Sequence, residues 1–195
     1  MFLLRSPNTE TLQAILTTAK AASFSYTEVG ATAGGALPDG YHHDRSLIDL
    51  GHGPDRFDRA VAGLRSWQMH VRSGLQVFPE GQDLAPAVTV LSVVRFGLLT
   101  TVAPCRVVYV IDEPDRFGFA YGTLAGHPEQ GEEAFVVERT GRFKVTAFSR
   151  PKELLARLGG PVSRKVQQRA TTAYLDAMRD IAEEGDRPAN QQSWR

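Results

Sequence analysis

The stretch "CRVVYVIDEPDRFGFAYGTLAGHPEQGEEAF", residues 105–135, contains three apolar segments separated by the short connections "EPDR" and "GHPEQG". Alternating or continuous apolar segments with Gly and Pro in short connections are typical of antiparallel strands joined by hairpins. Comparable segments lie on either side of this stretch. The sequence therefore predicts an antiparallel meander of about six strands between Gly74 and Arg150.

Helical patterns flank the meander. Before it, Asn8 can cap a helix over residues 9–22, "ATAGGALPDG" predicts a loop that could lie over the domain, and residues 54–71 have the apolar spacing of one helix. After it, "KELLARLG" (residues 152–159) predicts a short helix. A longer helix begins at Pro161 or Ser163 and carries an apolar stripe as far as Ile181.

This order, a brief strand at residues 45–50, a helix, the meander and a long C-terminal helix, resembles the helix-grip arrangement of the START-like or Bet v 1-like superfamily. We therefore expect an α+β fold in which a curved antiparallel sheet of about six to seven strands wraps around the C-terminal helix. Such sheets commonly enclose a cavity between sheet and helix. The expected organisation is a single domain over residues 1–185 and a flexible tail over residues 186–195.

Composition limits the expected partners. The chain has 195 residues, with 22 Lys and Arg against 22 Asp and Glu, so we expect no binding to nucleic acid. No apolar run approaches the roughly 18 residues that span a bilayer, so we expect no membrane insertion. Cys105 is the only cysteine, which excludes an internal disulfide and predicts a cytoplasmic protein. The oligomeric state stays open.

The segment "FGFAYGTL" alternates large and small side chains. One face carries Phe117, Phe119 and Tyr121, and the other carries Gly118, Ala120 and Gly122. Our favoured interpretation is that the C-terminal helix lies over the small residues. The alternative is that the aromatic face lines a pocket, with the phenol of Tyr121 as its polar group.

Two adjacent carboxylates follow in "GEEAF". Glu132 and Glu133 are successive strand residues, so they point to opposite faces and one of them should be buried. A buried carboxylate needs a partner. We favour an ion pair that fixes the strand register, with a general base or ligand-binding carboxylate as the alternative. The available arginines are Arg106, Arg139 and Arg150.

No metal or other cofactor is expected. In "YHHDR", residues 41–45, adjacent side chains of an extended segment diverge, so His42, His43 and Asp44 form a metal site only if His127 or Glu133 folds close to them. His127 itself lies among turn residues, where solvent would satisfy it. The motifs of the common serine hydrolases, P-loop proteins and zinc proteases are absent from the sequence.

A family resemblance rests on three segments: residues 105–135, "AFSRP" downstream, and "LGHGPDRFDRAVAGLRSWQMH" upstream. Together they resemble the uncharacterised bacterial and plant family named domain of unknown function nineteen-ninety, from about Phe24 to Met178. The resemblance supports these fold boundaries and implies no established activity.

Three functional hypotheses follow. The first is a protein that binds a small apolar or amphipathic molecule between sheet and C-terminal helix, with aromatic wall residues. The expected wall residues are Trp67, Tyr109, Phe119, Tyr121, Phe135 and Tyr174. The second is an enzyme such as a cyclase, dehydratase or hydrolase, in which Glu133 or His127 transfers a proton and Tyr121 holds an oxygen. The third is a structural or interaction protein whose core is filled.

Overall fold

The computed structural model describes residues 1–97, 99–152 and 160–184. The short helix predicted over residues 152–159 falls almost entirely outside the described residues, and the predicted tail, residues 186–195, lies wholly outside them.

Within the described residues, eight strands form one antiparallel sheet. They are β1 (Phe2–Leu3), β2 (His42–Asp49), β3 (Gln76–Phe78), β4 (Thr89–Phe96), β5 (Leu99–Glu113), β6 (Arg116–Thr123), β7 (Glu129–Glu138) and β8 (Arg142–Pro151). The order across the sheet is β2-β8-β7-β6-β5-β4-β3, and β1 pairs with β5. The predicted antiparallel sheet is confirmed, and the short strand β1 adds to the expected number.

Four α-helices surround the sheet in the described part of the chain. They are α1 (Thr9–Ala21), α2 (Pro54–Arg65), α3 (Gln68–Arg72) and α4 (Gly160–Glu183), and a short 3-10 helix spans Ala31–Ala33. Asn8 caps α1 as predicted, because its Oδ1 accepts the Thr11 N–H at 2.9 Å. No helix among the described residues combines the length and apolarity needed to cross a membrane.

Helices lie on both sides of the sheet. On one side, which we call the helix-facing side, α4 contacts α2 and α3 and also reaches β2 and β8. On the opposite, outer side, Leu12 and Leu16 of α1 pack on Leu91 and Val102 of the sheet. The long α4, about 36 Å at 1.5 Å per residue, therefore packs along a curved sheet in the helix-grip arrangement that the sequence predicts.

The predicted single helix over residues 54–71 is wrong, because the chain breaks between α2 and α3. Trp67 has a positive φ of 60°. Its indole N–H donates to the Gln82 carbonyl at 2.8 Å, and its ring packs against Phe119 with centroids 5.1 Å apart. These tertiary contacts hold residue 67 outside helical geometry, and α3 turns so that His70 is buried while Val71 is exposed.

The small residues of β6 are not covered by α4, contrary to our expectation. A Cβ atom on Gly122 would lie 2.0 Å from the hydroxyl oxygen of Tyr26, so the segment that follows α1 occupies this face. The aromatic face packs on α4 instead, where Tyr174 contacts Phe135 with ring centroids 5.3 Å apart. The missing side chain at position 122 therefore makes room for Tyr26.

Tyr26 belongs to a hydrogen-bond network around Glu132, which is 3% exposed. Its Oε2 accepts the Tyr26 hydroxyl and the Gly30 N–H, each at 2.7 Å. Its Oε1 accepts the Thr32 N–H at 3.0 Å and also the Thr32 hydroxyl. Four donors from residues 26–32 thus satisfy the buried carboxylate.

The ion pair predicted for the buried carboxylate is therefore wrong. Arg106 donates to the carbonyls of Ala19 and Lys20 at the end of α1. The guanidinium groups of the other two arginines stack on aromatic rings: Arg139 on Phe57 and Arg150 on Tyr41. Neutral hydroxyl and amide donors satisfy the Glu132 carboxylate in place of an arginine, because residues 22–41 fold over this face of the sheet.

We expect Gly122→Ala to destabilise the protein by about 2 kcal/mol, because the new methyl group displaces the Tyr26 ring and removes a donor from buried Glu132. Urea unfolding measures the change. Gly35→Ala is the matched control, since its Cβ meets nothing within 4 Å. Equal free energies of unfolding for both variants would show that Tyr26 is not held against β6.

Candidate functional site

Six rings on the helix-facing side form what we call the aromatic cluster: Trp67, His70, Phe119, Tyr121, Phe135 and Tyr174. The distances between neighbouring ring centroids range from 5.1 to 6.1 Å. Tyr121, at 8% exposed, is the most accessible of them. The inner space between sheet and α4 is thus occupied by the protein's own side chains here.

Strand register places this cluster. Phe119 lies opposite Phe135, and Tyr121 lies opposite Glu133, in the β6–β7 pair. Residues directly opposite each other in an antiparallel pair share a face of the sheet. Five of the six wall residues proposed from the sequence therefore come together, joined by His70 from α3.

Tyr109, the sixth proposed wall residue, lies elsewhere. The register of β5 against β6 shifts between Val107 and Tyr109, so one extra residue is inserted and the alternation of faces is reversed beyond it. Tyr109 pairs with Ala120 on the outer side, where its hydroxyl is 2.9 Å from the Thr32 hydroxyl. It contacts the network around Glu132 and does not join the aromatic cluster.

Four polar side chains meet at the edge of the cluster: Tyr121, Glu133, His70 and Tyr174. The Tyr121 hydroxyl donates to Glu133 Oε2 at 3.0 Å, and its oxygen lies 3.4 Å from His70 Nε2. The Tyr174 hydroxyl also interacts with Tyr121. The phenol of Tyr121 thus lies between the Glu133 carboxyl group and the His70 imidazole. Such an arrangement is typical of sites that carry out general acid–base chemistry.

Glu133 is the part of this group that solvent can reach, since its side chain is only partly buried. Burial raises the pKa of Glu133 to about 7, and the negative charges of Glu129 and Asp44 act in the same direction, while the Tyr121 hydrogen bond opposes them. Asp44 and Glu133 both pair with Ala147 of β8 and so share the helix-facing side. The carboxyl group of Glu133 can therefore gain or lose a proton near neutral pH.

His70 was not identified from the sequence. It is completely buried, and burial lowers its pKa to about 3, so the imidazole is neutral. Its Nδ1 has no hydrogen-bond partner within the described part of the chain. The apolar spacing of a continuous helix predicts that Val71 is buried and His70 is exposed. The break at Trp67 reverses this and turns His70 inward.

His127, proposed as a proton-transfer residue, makes no hydrogen bond to Tyr121 or Glu133 among the described residues. Its Nδ1 accepts the Glu129 N–H at 2.9 Å, and burial lowers its pKa to about 3. His42 and His43 are exposed. In the part of the chain that the structure describes, no group of three or more His, Cys, Asp or Glu side chains is arranged to hold a metal ion.

Two surface hollows among the described residues lie away from the aromatic cluster. One lies along α4, lined by Gln168, Arg169, Thr172, Ala173 and Asp176. The other lies beside the end of α1, lined by Lys20, Gln82, Ala87, Val88, Thr89 and Arg106. Neither includes a residue that the sequence analysis proposed for a binding wall.

Comparisons with known proteins identify relatives that match most of the chain. The family model described as "Domain of unknown function (DUF1990)" matches residues 25–177. A Deinococcus radiodurans "UPF0548 protein" is 35% identical over 190 residues, which cover 89% of this chain and 95% of that protein. A Dictyostelium discoideum protein of the same description is 28% identical over 195 residues, covering 87% and 90%.

One solved structure supports the fold. The 1.88 Å crystal structure of a hypothetical protein from Helicobacter pylori aligns with a TM-score of 0.52 at 13% identity. The alignment covers 74% of this chain and 88% of that one. At this identity the similarity shows the fold alone.

Replacing Tyr121 by Phe tests the hydrogen bond to Glu133. We expect a loss of about 1–2 kcal/mol in the free energy of unfolding, because the buried hydroxyl donates to a carboxyl group. Tyr41→Phe is the control, since its hydroxyl bonds to Glu28 near the surface, and its loss should be smaller. Denaturant unfolding of both variants at pH 8 measures these losses. An unchanged free energy of unfolding in Tyr121→Phe would contradict the arrangement.

Glu133→Gln should change the pH dependence of stability. The folded protein holds the Glu133 proton up to about pH 7, whereas the unfolded chain releases it near the ordinary glutamate pKa of 4.5. Wild-type stability from this group is therefore present at low pH and is lost as pH rises through 7. As the pH rises from 5 to 8, the free energy of unfolding of Glu133→Gln should therefore increase relative to that of the wild type by on the order of 2 kcal/mol.

Urea unfolding at several pH values measures this gain, and the contributions of His70 and His127 cancel because both proteins contain them. Glu113→Gln is the control. Its hydrogen bond from Arg116 lowers the Glu113 pKa, so the carboxylate stays ionised and its effect should be the same from pH 5 to 8. Parallel curves for Glu133→Gln and wild type would contradict a raised pKa at Glu133.

Proposed function

The chain belongs to the family described as domain of unknown function DUF1990, and from its site we propose that it binds a small amphipathic molecule between the curved sheet and α4. The apolar part of the ligand packs against the edge of the aromatic cluster, and the polar part meets Glu133. The observation that carries this proposal is a partly exposed carboxyl group, bonded to Tyr121, at the edge of a buried aromatic cluster.

The position of the ligand follows from burial. The rings are at most 8% exposed, so the ligand binds beside them rather than among them. Asp44, Ala147 and Glu133 lie in one row across β2, β8 and β7, and all three are partly exposed. Ala147 has the smallest side chain of the three, and we place the head group of the ligand over it, between the two carboxyl groups.

The charge of this row determines the ligand class. Asp44 and Glu133 face the same space, and their mutual repulsion contributes to the raised pKa of Glu133. A ligand carboxylate placed there would add a third negative charge in partly desolvated surroundings. The site therefore favours a polar group that is uncharged, such as a hydroxyl.

An enzyme that uses acid–base chemistry is the second candidate. A specific observation favours it: burial raises the pKa of Glu133 to about 7, the range in which a carboxyl group works as both acid and base at neutral pH. In this alternative Glu133 transfers the proton and Tyr121 holds a substrate oxygen. Binding of substrate at the same row of residues is common to both candidates.

The test compares two ligands of equal chain length, decanol and decanoate, by calorimetry or competition with a fluorescent probe at pH 7. We expect decanol to bind at least about tenfold more tightly, equivalent to about 1.4 kcal/mol, because decanoate meets Asp44 and Glu133. Ala147→Leu should abolish binding by filling the space between them. Thr146→Leu, on the opposite face of the same strand, should bind as wild type does.

Native mass spectrometry of protein purified from its own host provides an independent test, with a co-purifying small molecule as the expected result. No co-purifying molecule, together with no binding of either decanol or decanoate, would reject the binding proposal and favour the interpretation of a filled-core interaction protein.

A further inference from the structure

We propose that the end of the sheet formed by β1 and the β4–β5 hairpin is a docking surface for an anionic lipid bilayer. We call this end the tip surface, and its side chains are those of Phe2, Leu4, Arg5, Arg95 and Leu99. The inference goes beyond ligand binding, because none of these residues belongs to the row that holds the ligand. It concerns adsorption to the surface of a bilayer and requires no segment that spans one.

Exposed apolar side chains are concentrated at this end of the sheet. Among the described residues seven large hydrophobic side chains are exposed, and four of them lie here: Met1, Phe2, Leu4 and Leu99. The other three lie singly on separate segments: Val29, Leu47 and Val71. Leu4 is 82% exposed, the largest fraction of the seven. Single exposed apolar residues are ordinary, whereas a group of them marks an interaction surface.

Strand pairing brings the apolar residues of the tip surface together. Leu3 lies opposite Thr100 in the β1–β5 pair, so Leu4 is level with Leu99. β6 pairs with β5 only from Cys105 onwards, and β1 pairs with the part of β5 that precedes it. Two segments that are distant in the sequence therefore form one continuous surface.

The exposed side chains project from a backbone that is held in place. Leu3 packs on the α1 cluster of the outer side, and neighbouring residues of a strand point to opposite faces. The side chains of Phe2 and Leu4 are therefore directed away from that cluster. Phe2 is 43% and Leu99 is 37% exposed, whereas Leu3 between its exposed neighbours is half-buried. The exposure thus follows from the sheet geometry.

The charge at this end of the sheet is positive. Residues 1–9 and 84–111 contain three arginines, no lysine and no Asp or Glu. Arg106 is held at the end of α1, where it donates to two carbonyl groups. Arg5 and Arg95 are exposed, and they border the apolar side chains of the tip surface.

Neighbouring elements add one charge of each sign. Lys152, directly after β8, lies near Met1, and Glu10 lies in the first turn of α1. These two charges offset each other. The balance that remains is the positive charge of Arg5 and Arg95, in a chain whose basic and acidic residues are equal in number.

A bilayer suits the tip surface better than a second copy of the chain does. Apolar side chains bordered by arginines match the interface of an anionic bilayer, which offers acyl chains and negatively charged headgroups. The long arginine side chains can reach the headgroups while Leu4 and Phe2 lie deeper. In a two-fold dimer through the same surface, Arg5 and Arg95 would face the same arginines of the second copy.

Docking has a consequence that rests on the proposed function. Leu99 is six residues from Cys105, which belongs to the core beneath α4, so both lie on the helix-facing side. The ligand-binding side of the sheet would therefore approach the bilayer, into which amphipathic molecules partition. Val107, level with Tyr121 and Glu133 in the paired strands, is about 27 Å from Leu99 along β5. The two sites are separate.

The test measures co-sedimentation of the ligand-free full chain with two kinds of vesicle: phosphatidylcholine alone, and phosphatidylcholine with about 30 mol % phosphatidylserine. We expect binding to the anionic vesicles that weakens as salt is added, because salt screens the arginine charges. Neutral vesicles should bind at least about tenfold more weakly. No binding to the anionic vesicles would overturn the proposal.

Surface variants locate the contact. Leu4→Ser should weaken binding to the anionic vesicles about tenfold, because the most exposed apolar side chain is lost. Arg5→Gln and Arg95→Gln should each weaken it about fivefold. Leu47→Ser is the matched control, since Leu47 is 55% exposed on β2, and it should bind as wild type does. Equal binding by Leu4→Ser and wild type would overturn docking at the tip surface.

Sedimentation velocity without vesicles separates the bilayer from a second copy. We expect the wild type and Leu4→Ser to sediment alike. A wild-type dimer that Leu4→Ser dissociates would show that a second copy covers the tip surface, and it would overturn the proposal. Because no ligand is added and Leu4 is remote from the ligand row, a failure of decanol to bind leaves these results unaffected.

Discussion

The fold and the candidate site both depend on how two adjacent glutamates of β7 are oriented. Glu132 is buried on the outer side, where the Tyr26 hydroxyl and the backbone of residues 30–32 donate to its carboxylate. Successive strand residues point to opposite faces, so fixing Glu132 there presents Glu133 to α4. The network that attaches residues 26–32 to the sheet thus also sets the position of the titrating carboxyl group. A shift of one residue in register would exchange the two groups.

A second constraint is the positive φ of Trp67. Non-glycine residues adopt this conformation rarely and at a cost that other contacts must offset. The indole hydrogen bond to Gln82 and the contact with Phe119 provide that compensation. The result is a short α3 that places His70 beside Tyr121. Local strain at one residue is therefore linked to the placement of a neutral, buried imidazole in the site.

Much of the fold could be predicted from periodicity, because the β4–β8 meander, the capped α1 and the apolar stripe of α4 are local patterns. The errors arose where tertiary structure overrides such patterns. The bulge after Val107 moves Tyr109 to the outer face, and Tyr26 takes the space above Gly122 that we assigned to the C-terminal helix. For the site, alternation placed Phe119 and Tyr121 on one face but left open which of Glu132 and Glu133 shares it, because that depends on the β6–β7 register. Finding His70 required knowledge of the helix break.

The energetics of Glu133 bear on whether this residue has a structural or a functional role. A carboxyl group whose pKa is raised to about 7 destabilises the folded state at higher pH relative to an ordinary surface carboxylate. Glu132, its neighbour, is compensated by four hydrogen bonds and anchors a segment of the chain, but Glu133 has one hydrogen bond among the described residues and anchors none. An uncharged side chain at position 133 would pack against the same aromatic cluster without this cost. Glu133 lowers stability, is partly exposed and lies beside the Tyr121 phenol and, through it, the His70 imidazole. These are features of a binding or proton-transfer group. Its physical properties therefore favour a functional role over a structural one.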